Sequence, residues 1–98
     1  MAGTLTGAGP TRLQAGTFVA HVDVEGIALV FVSGKDCGSC RAFAPVFEAA
    51  CWRNPDVAFG VVQAEDDLPF LQALSVASLP TLMVFRGGTL ILSRPGTL

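Results

Sequence analysis

The sequence predicts an α/β chain built on a central mixed β-sheet flanked by helices, and three observations carry that prediction. Ile27-Ala28-Leu29-Val30-Phe31-Val32 is apolar without alternation, the pattern of a strand covered on both faces. After it, apolar residues recur at Cys40, Phe43, Ala44, Phe47, Ala50 and Cys51, the three- and four-residue spacing of an amphipathic helix. Val57 to Ala64 then returns to strand character, and a helix between two strands provides a right-handed parallel crossover.

The remaining elements follow in order. Met1 to Gly9 carries Leu5 as its one large apolar residue and reads as a frayed tail or a short edge strand. Thr17, as a cap, opens a short helix through Phe18, Val19 and Val22 to about Val24, ended near Gly26. Ser33-Gly34-Lys35-Asp36 is a loop, and the long helix starts at about Gly38 to Ser39 and ends near Asn54-Pro55. Pro45 inside it removes one backbone donor, so a kink is expected. Glu65-Asp66-Asp67 closes the second strand and caps a short helix from Leu68 to Leu74, reading as a solvated helix start. Leu82 to Phe85 and Thr89 to Leu92, joined by Gly87-Gly88, form an antiparallel hairpin.

Composition narrows the function classes. With 98 residues the chain is expected to form a single domain over residues 1–98, and 51% hydrophobic against 14% charged residues excludes disorder. A net charge of −2 provides no basic field for nucleic acid or an anionic membrane. No apolar run approaches the roughly 20 residues of a membrane helix, and Met1 to Pro10 lacks the apolar region of a signal peptide. Three cysteines, an odd number, argue for a reducing compartment, so a cytoplasmic location is expected.

The chemistry concentrates at Cys37-Gly38-Ser39-Cys40, where the strand pattern hands over to the helix pattern. A helix starting at Gly38 to Ser39 puts the Cys37 sulfur over unsatisfied N–H groups and the positive end of the helix dipole. Such an environment favours the thiolate over the free-cysteine pKa of about 8.5. Cys40, one turn further in and shielded from solvent, is within disulfide reach. Cys37 is therefore expected to attack and Cys40 to resolve, in a thiol/disulfide redox site. A metal site is the chemical alternative, but Cys51 lies roughly 16 Å along the helix from Cys40, too far to share a metal or a disulfide with it. No metal or other cofactor is expected. Cys51 reads as a buried small apolar residue, Trp52 as packed at the helix end, and His21 as a surface residue.

From Phe18 to Gly96 the chain resembles the thioredoxin family. The resemblance rests on the apolar strand before Cys37-Gly38-Ser39-Cys40, on Pro45 five residues after Cys40, on Leu79-Pro80-Thr81 before a strand, and on the Phe85-Arg86-Gly87-Gly88 turn. It implies a thioredoxin-like fold, a cis peptide bond at Pro80, and a substrate groove formed by Leu79, Pro80 and Gly96 beside the cysteines. It also implies thiol–disulfide exchange on protein disulfides, with an external reductant as the second partner.

Four departures from the family pattern stand out. Asp36 replaces the tryptophan usual before the first cysteine. Phe31 stands in place of a buried aspartate that helps move the proton of the resolving thiol, and Val61 in place of its buried lysine neighbour. Loss of both charges leaves neither unpaired in the core, but it removes the customary base for Cys40. Ser39 replaces a proline; serine caps helices and can donate to sulfur, so a site less reducing than the roughly −270 mV of thioredoxin is expected. The last family helix has no counterpart, which a truncated sequence would explain; otherwise the sheet face it would cover is expected to meet a second copy, another partner or the amino-terminal segment, with a homo-oligomer the favoured reading. The contrasting reading is a non-catalytic binding or chaperone-type module that keeps the cysteines.

Overall fold

In the computed structural model, which describes residues 9–96, five strands form one sheet in the order β1-β3-β2-β4-β5. The elements are β1 (Thr11–Leu13), α1 (Ala15–Val22), β2 (Ile27–Ser33), α2 (Gly38–Arg53), β3 (Ala58–Gln63), a 3-10 turn (Ala64–Asp66), α3 (Leu68–Ala73), β4 (Thr81–Arg86) and β5 (Thr89–Pro95). β2 is central as its apolar run requires, parallel to β3 and antiparallel to β4. The long crossover and the antiparallel hairpin thus follow the sequence pattern.

Alternation along the strands divides the core in two. Ala28, Val30 and Val32 of β2, Val62 of β3, and Met83 and Phe85 of β4 share one face with Phe18 and Val22 of α1 and Leu71 of α3. The Phe18 ring meets Phe70 and Phe85 edge-on at centroid distances of 5.3 and 5.7 Å. Phe31, Phe59 and Leu82 point the other way, onto Cys40 and Phe47 of α2. Both faces of β2 are buried for that reason, and a polar residue on either face would carry a desolvation cost.

Three boundaries differ from the sequence expectation. α1 begins at Ala15, and Gln14 is its cap; the Gln14 N–H donates to the Thr17 hydroxyl at 3.1 Å while the Thr17 N–H donates to the Gln14 carbonyl. Thr17 therefore closes the first turn from inside it. The edge strand is Thr11–Leu13, too short for a periodic signal, fixed by parallel pairing with Gly60 to Val62. The stretch read as tail or edge strand lies outside the described residues except for Gly9. β5 runs on to Pro95, because its ladder with β4 continues through Ser93 and Arg94.

Gly87 and Gly88 both take positive φ (58° and 83°), the backbone a tight two-residue hairpin demands. The side chains of β5 are exposed, including Leu90, Ile91 and Leu92. No helix among the described residues is long and apolar enough to cross a membrane.

Candidate active site

Cys37 sits where the carboxyl end of central β2 passes through a short turn into α2. It is the N-cap of that helix, with extended backbone, and its Sγ accepts the Cys40 N–H at 3.2 Å. A sulfur in that position satisfies one of the four orphan donors of the helix start and lies in its positive field. Cys40 is one turn further, 1% exposed, packed with Phe31, Phe47, Phe59 and Leu82. The two cysteines form a disulfide with Cα atoms 5.2 Å apart, within the ordinary range for such a bridge. Cys37 remains half-buried. Gly38 and Ser39, the first two residues of α2, are exposed between them.

The loop before β4 is built around a cis Leu79–Pro80 bond. Thr81 donates its hydroxyl to the Ser78 carbonyl at 2.8 Å, closing the loop, and the Gly96 N–H donates to the Pro80 carbonyl at 2.7 Å. Pro80 and Gly96 are thereby joined. Pro80 is buried and Leu79 is 37% exposed. The Leu79 side chain lies over Gly34: a Cβ on Gly34 would come within 2.7 Å of Leu79 Cδ1. Glycine is what lets the proline loop close down on the turn that carries Cys37.

Beneath the disulfide the core is wholly apolar. Phe31 and Val61 are direct register partners on β2 and β3, and both pack in the cluster that surrounds Cys40. The Phe31 ring lies 5.1 Å from that of Phe43 and 5.3 Å from that of Phe47. Among the described residues the buried polar side chains are Ser33 and Thr81, and none is a carboxylate.

The remaining candidates need correction or sharpening. His21 is not a surface residue: it is half-buried against β3, bonded to the Ala58 backbone, and its Nε2 is buried without a hydrogen-bond partner among the described residues. Burial holds its pKa below the ordinary range, partly opposed by the Ala58 bond. Trp52 is 51% exposed rather than packed, because the helix turns it away from the sheet. Cys51 is half-buried beside the apolar cluster; burial first, and then the Glu48 carboxylate, push its thiol up, opposite to what a nucleophile needs.

The three acids after β3 do separate jobs. Asp67 accepts the Phe70 N–H at 3.1 Å as the cap of α3, and Asp66 pairs with Arg12 through both carboxylate oxygens at 2.7 and 2.9 Å. Glu65 accepts the Lys35 N–H at 3.2 Å. Gly34 and Glu65, expected as loop and solvated helix start, are neighbours of the site through Leu79 and the Lys35 N–H.

The family model described as thioredoxin matches residues 10–97. This chain belongs to the thioredoxin family. Among curated relatives it is 42% identical over 62 residues to a putative thioredoxin 2 of Streptomyces coelicolor, covering 63% of this chain and 46% of that protein. It is 30% identical over 64 residues to a thioredoxin of Chlamydia pneumoniae, covering 65% of this chain and 63% of that one. The chain thus spans about half to two thirds of the length of these relatives. Among solved structures, a mutant thioredoxin from Halobacterium salinarum superposes with a TM-score of 0.85 at 21% identity, covering 93% of this chain and 80% of that one. These likenesses establish the thioredoxin-like fold, and the residues of this chain must carry the rest.

Proposed function

We infer that the chain is a thiol–disulfide oxidoreductase that exchanges dithiols and disulfides on protein substrates. One observation carries this reading: a half-buried sulfur, Cys37, caps a helix N-terminus within bonding reach of a buried partner, Cys40. In the reductive direction the Cys37 thiolate attacks one sulfur of a substrate disulfide. A Cys37–substrate bond forms, and the first substrate thiolate leaves. Cys40 then gives up its proton and attacks Cys37 Sγ; the Cys37–Cys40 disulfide forms and the second substrate thiolate leaves. The substrate gains two electrons, and an external dithiol must restore the pair.

Leu79, Pro80 and Gly96 form the substrate-binding edge in this reading. Extended segments bind by main-chain pairing, and no backbone hydrogen bond within the described residues engages Leu79. Gly38 and Ser39 are exposed beside the half-buried Cys37, and Ser39 in this reading favours its thiolate. The pair is therefore assigned a potential above roughly −270 mV, and equilibration with glutathione giving that value or a lower one would contradict it. An electron-transport role in the cytoplasm is the setting that fits. Exposed Leu90, Ile91 and Leu92 on β5 favour self-association.

Phe31 and Val61 favour a second reading, a module that binds partners and exchanges disulfides slowly or not at all, because they pack in the cluster around Cys40 and no carboxylate is buried among the described residues. Disulfide reduction by wild type and Cys37→Ser separates the two. Activity lost in the variant supports the oxidoreductase; an inactive wild type supports the module.

A further inference from the structure

The turn that delivers Cys37 is held from outside by one acidic side chain. Lys35 N–H donates to Glu65 Oε1 at 3.2 Å across thirty residues of chain, and no other side chain among the described residues is hydrogen-bonded to residues 34–36. The register explains the meeting. Ser33 pairs with Gln63 at the ends of parallel β2 and β3, so Lys35 and Glu65, each two residues further on, leave the sheet side by side. Glu65 Oε1 also stands 3.6 Å from where a Gly34 Cβ would be, in the space that glycine leaves open.

The turn needs such a hold. Asp36, immediately before Cys37, has φ of +57°, a left-handed conformation that L-residues adopt only at a cost. If the turn relaxed, Cys37 would leave the position in which its sulfur accepts the Cys40 N–H. We propose that Glu65 is a positioning residue for the attacking thiol, its carboxylate holding the Gly34–Asp36 turn through the Lys35 amide so that Cys37 caps α2. The inference rests on the reading of Cys37 as the attacking thiol.

Geometry and charge act in opposite directions here, which makes the role separable. A carboxylate near a thiolate disfavours it through space, so loss of charge alone would lower the thiol pKa. Loss of positioning raises it. Glu65 is exposed, and its replacement leaves the core untouched.

The test compares Glu65→Ala and Glu65→Gln with wild type, because glutamine keeps an acceptor oxygen and drops the charge. Two readouts are taken on reduced protein: the Cys37 thiolate titration by ultraviolet absorbance, with Cys37→Ser as the blank, and the rate of attack on a small aromatic disulfide. Glu65→Ala is expected to raise the thiol pKa and slow the attack roughly five-fold, with both restored by Glu65→Gln. An unchanged or lowered pKa in Glu65→Ala, or equal slowing in both variants, overturns the proposal. Absence of Cys37-dependent exchange in wild type would count against the site assignment instead, and the titration still decides the role of Glu65.

Discussion

At the scale of single residues, Phe31 shows how position decides a side chain's meaning. It is 2% exposed, opposite Val61, and packed against Phe43 and Phe47 beneath Cys40. Phe31→Ala should cost about 3–5 kcal/mol of stability, measured by urea unfolding, as expected for an aromatic removed from a packed core; a loss below about 1 kcal/mol would show that the ring is not integral to the cluster. Gly34 tests the proline loop. A methyl there must move Leu79 Cδ1, so Gly34→Ala should raise KM for a protein disulfide roughly four-fold, the worth of one methylene-sized contact. Exchange with a small disulfide should hardly change, and equal effects on both substrates would contradict the role given to Leu79. His21 predicts a pH effect. Its folded pKa lies below the unfolded value of about 6.5, so below that value the unfolded chain binds more protons and stability falls as pH falls. The urea midpoint should drop between pH 7.5 and 5.5 in wild type and drop less in His21→Leu; parallel curves would sink the assignment. The sequence shows neither Gly34's contact nor His21's burial, since each depends on a neighbour distant along the chain.

Among the elements, those with long apolar patterns are legible and those set by pairing or caps are less so. β2 and α2 are where their periodicity puts them because burial on two faces or one stripe leaves a dense apolar record. β1 leaves almost none: its three residues bury only Leu13 and exist as a strand because β3 offers a ladder. The start of α1 is displaced from Thr17 to Gln14 because a hydroxyl at the third helical position closes the same turn as one at the cap. Caps can be weighed by substitution. Asp67→Ala removes the acceptor for Phe70 N–H and should cost about 1 kcal/mol, whereas Asp66→Ala, which breaks a pair whose Arg12 is 60% exposed, should cost less. Paired thermal melts of the two variants check the order, and a larger loss in Asp66→Ala would reverse it.

For the molecule as a whole, the sheet order brings the carboxyl ends of β2 and β3 and the loop before β4 to one end of the sheet, where the cysteine pair, Glu65 and Leu79 gather. The cysteine pair was legible as a motif because thiol chemistry needs its residues close in sequence. Its surroundings come from three separate segments, so only topology assembles them. The edge strand β5 exposes Leu90, Ile91 and Leu92. Sedimentation should show self-association that Leu90→Lys with Leu92→Lys weakens, and a wild-type monomer at all concentrations would exclude it. The central claim is the division of labour between the two cysteines, and mass spectrometry of trapped mixed disulfides tests it most directly. Incubated with a protein disulfide, Cys40→Ser should accumulate a covalent adduct through Cys37 while Cys37→Ser accumulates none; an adduct formed equally by both, or through Cys40 alone, would contradict the account.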